Sequence, residues 1–327
     1  MKTIILTSQR EGDQRFFAEL GLKYGMKVVS PRSSNELTHM FTSDAILILD
    51  ADDPEFLSTK QAFSAPNVFH ALKEKTDPQR IFALSDNYVF NNAQLKPPHS
   101  QFSNKQIRHN ILRKYGQPST SQAYRVVFDA CFKGTPPELS DYFAPGVSIQ
   151  KFTLKSSVHR KQVVDALQTI MQDARLSERL AARLAQAGDE FLMNAIFDAP
   201  RDNLGRAFRR EVEREKEFDL IERDAVTFEV ALNEDWFGVS VTDLYGSLVY
   251  DDVSRSLSLD YQSSKYSVKR DTLGAGLGLY QTTYNGISTV YSVKENAFTR
   301  AMIFFPMMKS MKSFRESFEF MSFYLYK

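Results

Sequence analysis

Between residues 225 and 243 the chain alternates apolar and polar residues with a period of two, which only a β-strand buried on one face can use. Val226, Phe228, Val230 and Leu232 share one side of the first run, Asn233-Glu234-Asp235 turns the chain, and Phe237, Val239 and Val241 return it. A slip of one residue would move every one of these side chains to the wrong face, so the register of this antiparallel hairpin is strongly specified. The hairpin delivers Asp243 at its end, with Gly246 three residues later. The second half of the chain must therefore contain an antiparallel sheet, and helices must cover its apolar face.

Those helices are legible just upstream. Residues 147–154 alternate like a further strand, and Gln162–Met171 carries the apolar stripe Val163, Val164, Leu167, Ile170 and Met171. The next helix is predicted from about Glu178 to Ala199, with Leu180, Leu184, Ala187 and Phe191 on its core face. Glu190, Asn194 and Asp198 follow at four-residue steps, so Glu190 and Asn194 lie one turn apart on one side. Arg201–Lys216 is highly charged and reads as a connector or an exposed helix. Residues 247–273 are polar, with Arg255, Lys265, Lys269 and Arg270, and are expected to form a mobile lid. After them, Gly274-Ala275-Gly276-Leu277-Gly278-Leu279 runs into an apolar stretch. Such a turn presents backbone N–H groups and a helix start to a phosphate. Two strands near Thr289–Val293 and Phe298–Phe305 close the sheet.

Taken in order, Glu190–Asn194, Asp243–Gly246 and the glycine run resemble the ATP-binding site of the GHKL superfamily, which includes histidine kinases, anti-sigma-factor kinases and gyrase. The resemblance covers roughly residues 150–307. It implies an α+β two-layer sandwich, the Bergerat fold, that binds ATP with Mg2+. It further implies that Asp243 accepts a hydrogen bond from the adenine amino group, that Thr299 supports Asp243, and that Asn194 ligates the magnesium. Glu190 matches the general base. Gly246, Gly274, Gly276, Leu277 and Gly278 are expected around the nucleotide, and Asp198 occupies a place where anti-sigma-type kinases often carry histidine. The chain departs from the family where Tyr245 replaces the first glycine of Asp-x-Gly-x-Gly. The closest functional expectation is a protein kinase acting on serine or threonine of a signalling partner such as an anti-sigma antagonist. The alternatives are a histidine-kinase-like protein acting in trans and an ATP-responsive switch without turnover.

Residues 1–115 alternate strands and helices, the mark of a parallel α/β sheet with crossovers. Strands are predicted at Thr3–Leu6, Met26–Val29, Asp44–Leu49 and Arg80–Leu84, and helices at Gln14–Leu22 and near Leu57–Leu72. Ile46-Leu47-Ile48-Leu49-Asp50 resembles the third strand of a two-component receiver domain, which ends in its phospho-accepting aspartate. The receiver's acidic pair after the first strand is absent: Thr7, Ser8, Gln9 and Arg10 stand there, with Glu11 a lone acid, and no lysine is placed after a fifth strand. The segment thus reads as a receiver-like interaction module, and Asp50 as a strand-end residue. His109 is expected at the surface.

The expected organisation is an α/β chain with a receiver-like domain at 1–115, a connector at 116–146, and the ATP-binding domain at 147–327. The tail contains Met311, Phe314, Phe318, Met321 and Leu325 on a helical stripe, or Phe318, Phe320, Tyr324 and Tyr326 on a strand face. Periodicity does not choose between them. It is expected to pack on its own domain, with a partner or a second copy of the chain as the alternative. A formal charge of +1 over 327 residues and no polybasic run give no footing for nucleic acid. No stretch approaches the roughly 20 apolar residues of a membrane span. The single Cys131 lies among apolar residues, as expected of an inert thiol in a reducing cytoplasm.

Overall fold

The computed structural model describes residues 2–52, 77–86, 108–115, 118–257, 287–307 and 320–326. Mixed α/β structure divides into two compact units, one running to Thr135 and also including residues 320–322, the other holding the remainder.

In the first unit the predicted strands form as β1 (Thr3–Leu6), β2 (Lys27–Val29), β3 (Ala45–Asp50) and β4 (Ile81–Ser85). A fifth, β5 (His109–Leu112), contains the histidine expected at the surface. The order is β2-β1-β3-β4-β5, all parallel, and residues 320–322 pair antiparallel with β5. Helix α1 (Glu11–Tyr24) buries Asp13, Phe17, Leu20 and Gly21, and leaves Leu22 87% exposed. It stops at Gly25, whose φ of 65° suits the left-handed cap that glycine adopts without a Cβ penalty. Helix α2 (Ser34–Met40) is capped by Ser33, whose side chain accepts from the Glu36 N–H. Ile5, Leu37, Phe41, Leu47, Leu49 and Ile81 build the core on one face of the sheet.

The other face is covered by α1 and by α3 (Pro118–Lys133), a 16-residue helix inside the span expected to be a connector. Tyr124 and Phe128 of α3 meet Phe17 and Phe82 edge-on at 5.5 and 6.0 Å. That packing takes the compact unit past residue 115 to Thr135. His109 is wholly buried, stacked on Phe82 at 4.5 Å, rather than at the surface. Burial, with Arg108 nearby, pushes its pKa down to about 3, so it is neutral. Cys131 is buried with its thiol pKa pushed up by desolvation, as its apolar setting implied. The predicted helix near Leu57–Leu72 lies outside the described residues.

In the second unit, β6 (Ile149–Leu154), β7 (Val226–Leu232), β8 (Trp236–Asp243), β10 (Phe298–Pro306) and β9 (Ser288–Lys294) pair in that order, antiparallel throughout. Helices α4 (His159–Asp173) and α5 (Glu178–Met193) cover the face that carries Phe228 and Tyr291. Gly188 of α5 sits so close to Leu167 of α4 that a Cβ would come within 2.9 Å of it. Residues 201–216 form no helix; Arg201 bridges to Ala207, and the chain then turns repeatedly. Helix α6 (Tyr250–Leu257) opens the span expected to be a polar lid and buries Tyr250 and Val253. The end of the chain is a strand, β11 (Phe320–Tyr326), of which Phe323 packs on Tyr250 and Tyr291 at 5.3 and 6.2 Å. No helix of the described residues is long and apolar enough to cross a membrane.

Candidate functional site

Regular α-helix ends at Met193, and Asn194–Asp198 continue as a π turn. The Ala199 N–H reaches back five residues to the Asn194 carbonyl at 2.8 Å. Such wide turns inside helices are uncommon and gather at functional sites. Glu190 and Asn194 keep their predicted one-turn spacing, whereas Asp198 lies on the widened turn and is carried round the helix. Its carboxylate faces Arg210 at 3.3 Å and Arg214 at 3.6 Å. These arginines come from the charged stretch after the helix, and no periodicity marks them. Arg214 also lies over the Phe197 ring, 4.6 Å from its centre. Among the described residues the Asn194 side-chain amide makes no hydrogen bond.

Glu190 is half-buried, and its pKa is pushed up to about 7. Burial contributes most, followed by the charges of Asp189 and Asp198, while Arg214 pulls the other way. Asp189 is itself raised by burial and held by Arg160 at 2.8 Å.

Asp243 closes β8 and is 5% exposed. Its Oδ1 accepts the backbone N–H groups of Tyr245, at 2.8 Å, and Gly246, at 3.3 Å. Burial nonetheless lifts its pKa to about 6. Thr299 stands opposite it in the β8–β10 ladder. The buried Thr299 hydroxyl is near enough to favour the carboxylate while making no regular hydrogen bond. The Ser247 hydroxyl donates to the Ala199 carbonyl at 2.8 Å, tying the loop after Asp243 to the end of the π turn, which packs on β8. Arg201 lies within reach of the charges of Asp198, Asp243 and Asp252, and burial with Arg210 lowers its pKa.

Gly246 has a structural reason to be glycine. Its φ is 63°, and a Cβ there would stand 2.0 Å from the Lys294 carbonyl at the β9–β10 turn. Tyr245 is held by a hydrogen bond to Asp224 and by Arg223, 4.8 Å above its ring. The structure thus places Asp243, Gly246 and Thr299 together at the end of β8, packs the Asn194–Asp198 turn that follows Glu190 on the same strand, and commits Asp198 to arginines. Gly274, Gly276, Leu277 and Gly278 lie outside the described residues. No group of three or more His, Cys, Asp or Glu among the described residues could hold a metal. Asn194 could serve only as one oxygen ligand beside phosphate oxygens, which is how magnesium is usually held.

Asp50 of the first unit has a different setting. Both its oxygens are engaged: Oδ1 by Arg113 and the Asp52 N–H, and Oδ2 by the Ser8 hydroxyl at 2.9 Å, with Arg10 at 3.7 Å. Arg113 follows β5 where a lysine was sought, and Asp13 enters from the buried stripe of α1. The sequence reading missed both. Asp13's place four and seven residues before Phe17 and Leu20 was the one available signal for it.

No protein-family model matches the chain, and no curated protein matches it. Among solved structures, the crystal structure of the SiaB-SiaC complex from Pseudomonas aeruginosa is similar at 20% identity and a TM-score of 0.33. That likeness covers 47% of this chain and 88% of the other, and a superposition so loose transfers neither fold nor role.

Proposed function

We propose that the second unit is a GHKL-type domain of Bergerat fold that binds ATP with Mg2+ and phosphorylates serine or threonine of a partner protein. In this reading the first unit, receiver-like in strand order, is its interaction module. The observation that carries it is a pairing: a buried carboxylate, Asp243, at a strand end beside Thr299, and a carboxylate of near-neutral pKa, Glu190, one turn before an asparagine, Asn194, at the end of the regular helix. The antiparallel sheet with two helices on one face is the support such a site needs.

The residues fit the nucleotide in kind. Asp243 offers a buried acceptor to an exocyclic amino group, and Asn194 offers an oxygen to a hard cation. When bound, the magnesium nucleotide supplies an activated phosphoryl group whose transfer depends on positioning and charge. The partner's hydroxyl oxygen bonds to the terminal phosphorus as the bridging bond to ADP breaks, and Glu190 takes the hydroxyl proton. A base whose pKa lies near the working pH is suited to that task.

A second reading, binding without turnover, is favoured by Tyr245, whose bond to Asp224 and contact with Arg223 anchor the loop that the family builds from glycine. Calorimetric titration with a non-hydrolysable ATP analogue and Mg2+ tests the site itself: binding in the wild type and its loss in Asp243→Asn are expected. Labelled ATP with cell extract then separates the readings. Acid-stable label on a partner that disappears in Glu190→Gln supports serine or threonine transfer. Acid-labile label supports a histidine-kinase-like activity, and binding without label supports the switch.

A further inference from the structure

The carboxyl ends of β3, β4 and β5 in the first unit hold an ionic centre that the nucleotide reading does not use. Four carboxylates converge there: Asp13 from α1, Asp50 at the end of β3, Asp52 just beyond it, and Asp86 just beyond β4. Arg113 and Arg10 face them. The Arg113 side chain is 6% exposed, and each nitrogen of its fork is engaged. Nε meets Asp13 at 2.9 and 3.1 Å, Nη2 meets Asp50, and Nη1 meets Asp52 at 2.5 Å and Asp86 at 3.5 Å. Arg10 closes the outer side, 2.7 Å from Asp86. The Tyr115 hydroxyl donates to Asp13 at 2.6 Å, and its ring stacks on Phe16.

Ligands of parallel sheets bind at the carboxyl ends of the strands. Several converging carboxylates are the donor set of a hard divalent cation. In this unit a planar guanidinium fills that place, with a fork that matches carboxylates better than a point charge does. Among the described residues both oxygens of Asp50 are taken, and the guanidinium stands between the carboxylates where a cation would have to sit. Removing the guanidinium would strand buried like charges, which is costly.

We propose that Arg113 is the built-in cation of this centre, so that the first unit needs no divalent metal and Asp50 does not accept a phosphoryl group. The proposal stands independently of the nucleotide reading.

The test is thermal unfolding of the full chain, in EDTA and in millimolar Mg2+, Mn2+ or Ca2+, for wild type, Arg113→Met and Arg113→Lys. The wild-type midpoint should move by no more than about 1 °C between EDTA and cation in the absence of nucleotide, against the roughly 2–4 °C that 1 kcal/mol brings in a domain of about 150–250 residues. Arg113→Met should unfold lower in EDTA and regain at least half of the loss with a divalent cation, which enters the vacated centre. Arg113→Lys, which keeps the charge but not the fork, should fold, lose part of the stability, and stay indifferent to cations. Should Arg113→Met fail to fold in every condition, the lysine variant decides. Cation dependence in Arg113→Lys, or a folded Arg113→Met blind to every divalent cation, overturns the proposal. Wild type incubated with acetyl phosphate and Mg2+ should show no phosphoryl adduct by intact mass, and an adduct mapped to Asp50 would also overturn it.

Discussion

Asp243 and Thr299 face each other across the β8–β10 ladder, both almost wholly buried, and the carboxylate is held with its pKa near 6. The raised value has a definite sign for stability. Between the ordinary carboxylate range and pH 6 the folded state holds a proton that the unfolded state has released, so folding weakens as pH rises through that window. At neutral pH the ionised Asp243 then costs about 3 kcal/mol. Asp243→Asn is expected to stabilise the protein at pH 7 by about 1–2 kcal/mol in denaturant titration, and to abolish binding of the ATP analogue. Gain of stability with loss of binding would mark a residue kept for a ligand.

Glu190 titrates near pH 7 because burial, Asp189 and Asp198 raise it against the pull of Arg214. Arg214→Gln should move its pKa further up, by about half a unit to one unit, since an opposite charge nearby favours the ionised form. Carboxyl-carbon NMR of the free protein reads this directly, and the acid limb of any phosphorylation profile should shift upward with it. An unmoved resonance would remove Arg214 from the site.

Gly246→Ala meets two obstacles at once, a positive φ and a carbonyl 2.0 Å from the new methyl group. The loop would have to leave the β9–β10 turn. Equilibrium unfolding should show a loss of about 2–4 kcal/mol, more than the roughly 1–2 kcal/mol of the left-handed conformation alone. A loss within the conformational figure would mean that the hairpin yields easily.

His109 works with the opposite sign. Its depressed pKa means that the unfolded chain binds the proton first, so stability is complete above about pH 6.5 and drains away as pH falls toward 3. Between pH 7 and pH 4 the loss from this group should be about 3 kcal/mol. His109→Phe, which keeps the stack on Phe82, should shed that part of the acid sensitivity in urea midpoints measured across the range. Equal acid slopes in both proteins would count against a neutral buried imidazole.

What the sequence revealed and what it hid follow one physical rule. The β7–β8 hairpin and the stripes of α4 and α5 are local patterns, and they formed where periodicity put them. β5 escaped because it is buried on both faces with His109 and Asn110 inside it, so neither alternation nor an apolar run marked it. α3 hid behind Pro118-Ser119-Thr120, which looks like turn chemistry, although proline is a favoured first residue of a helix. The spacing of Glu190 and Asn194 on a helix, and of Asp243 and Gly246 past a strand end, could be read because it is local. Arg113 could not, since its partner Asp13 is 100 residues away and only the fold joins them. The same holds for Gly246, whose need for glycine comes from Lys294.

The π turn at Asn194–Asp198 has a mechanical meaning. A rod of even pitch fixes the bearing of each side chain by that of the one a turn earlier, so nothing along it can be re-aimed alone. One five-residue link divides the rod into two levers, with Glu190 on the first and Asp198, gripped by its arginines, on the second. The near lever therefore takes its aim from the regular helix that carries it, and the far one from the arginines that grip it.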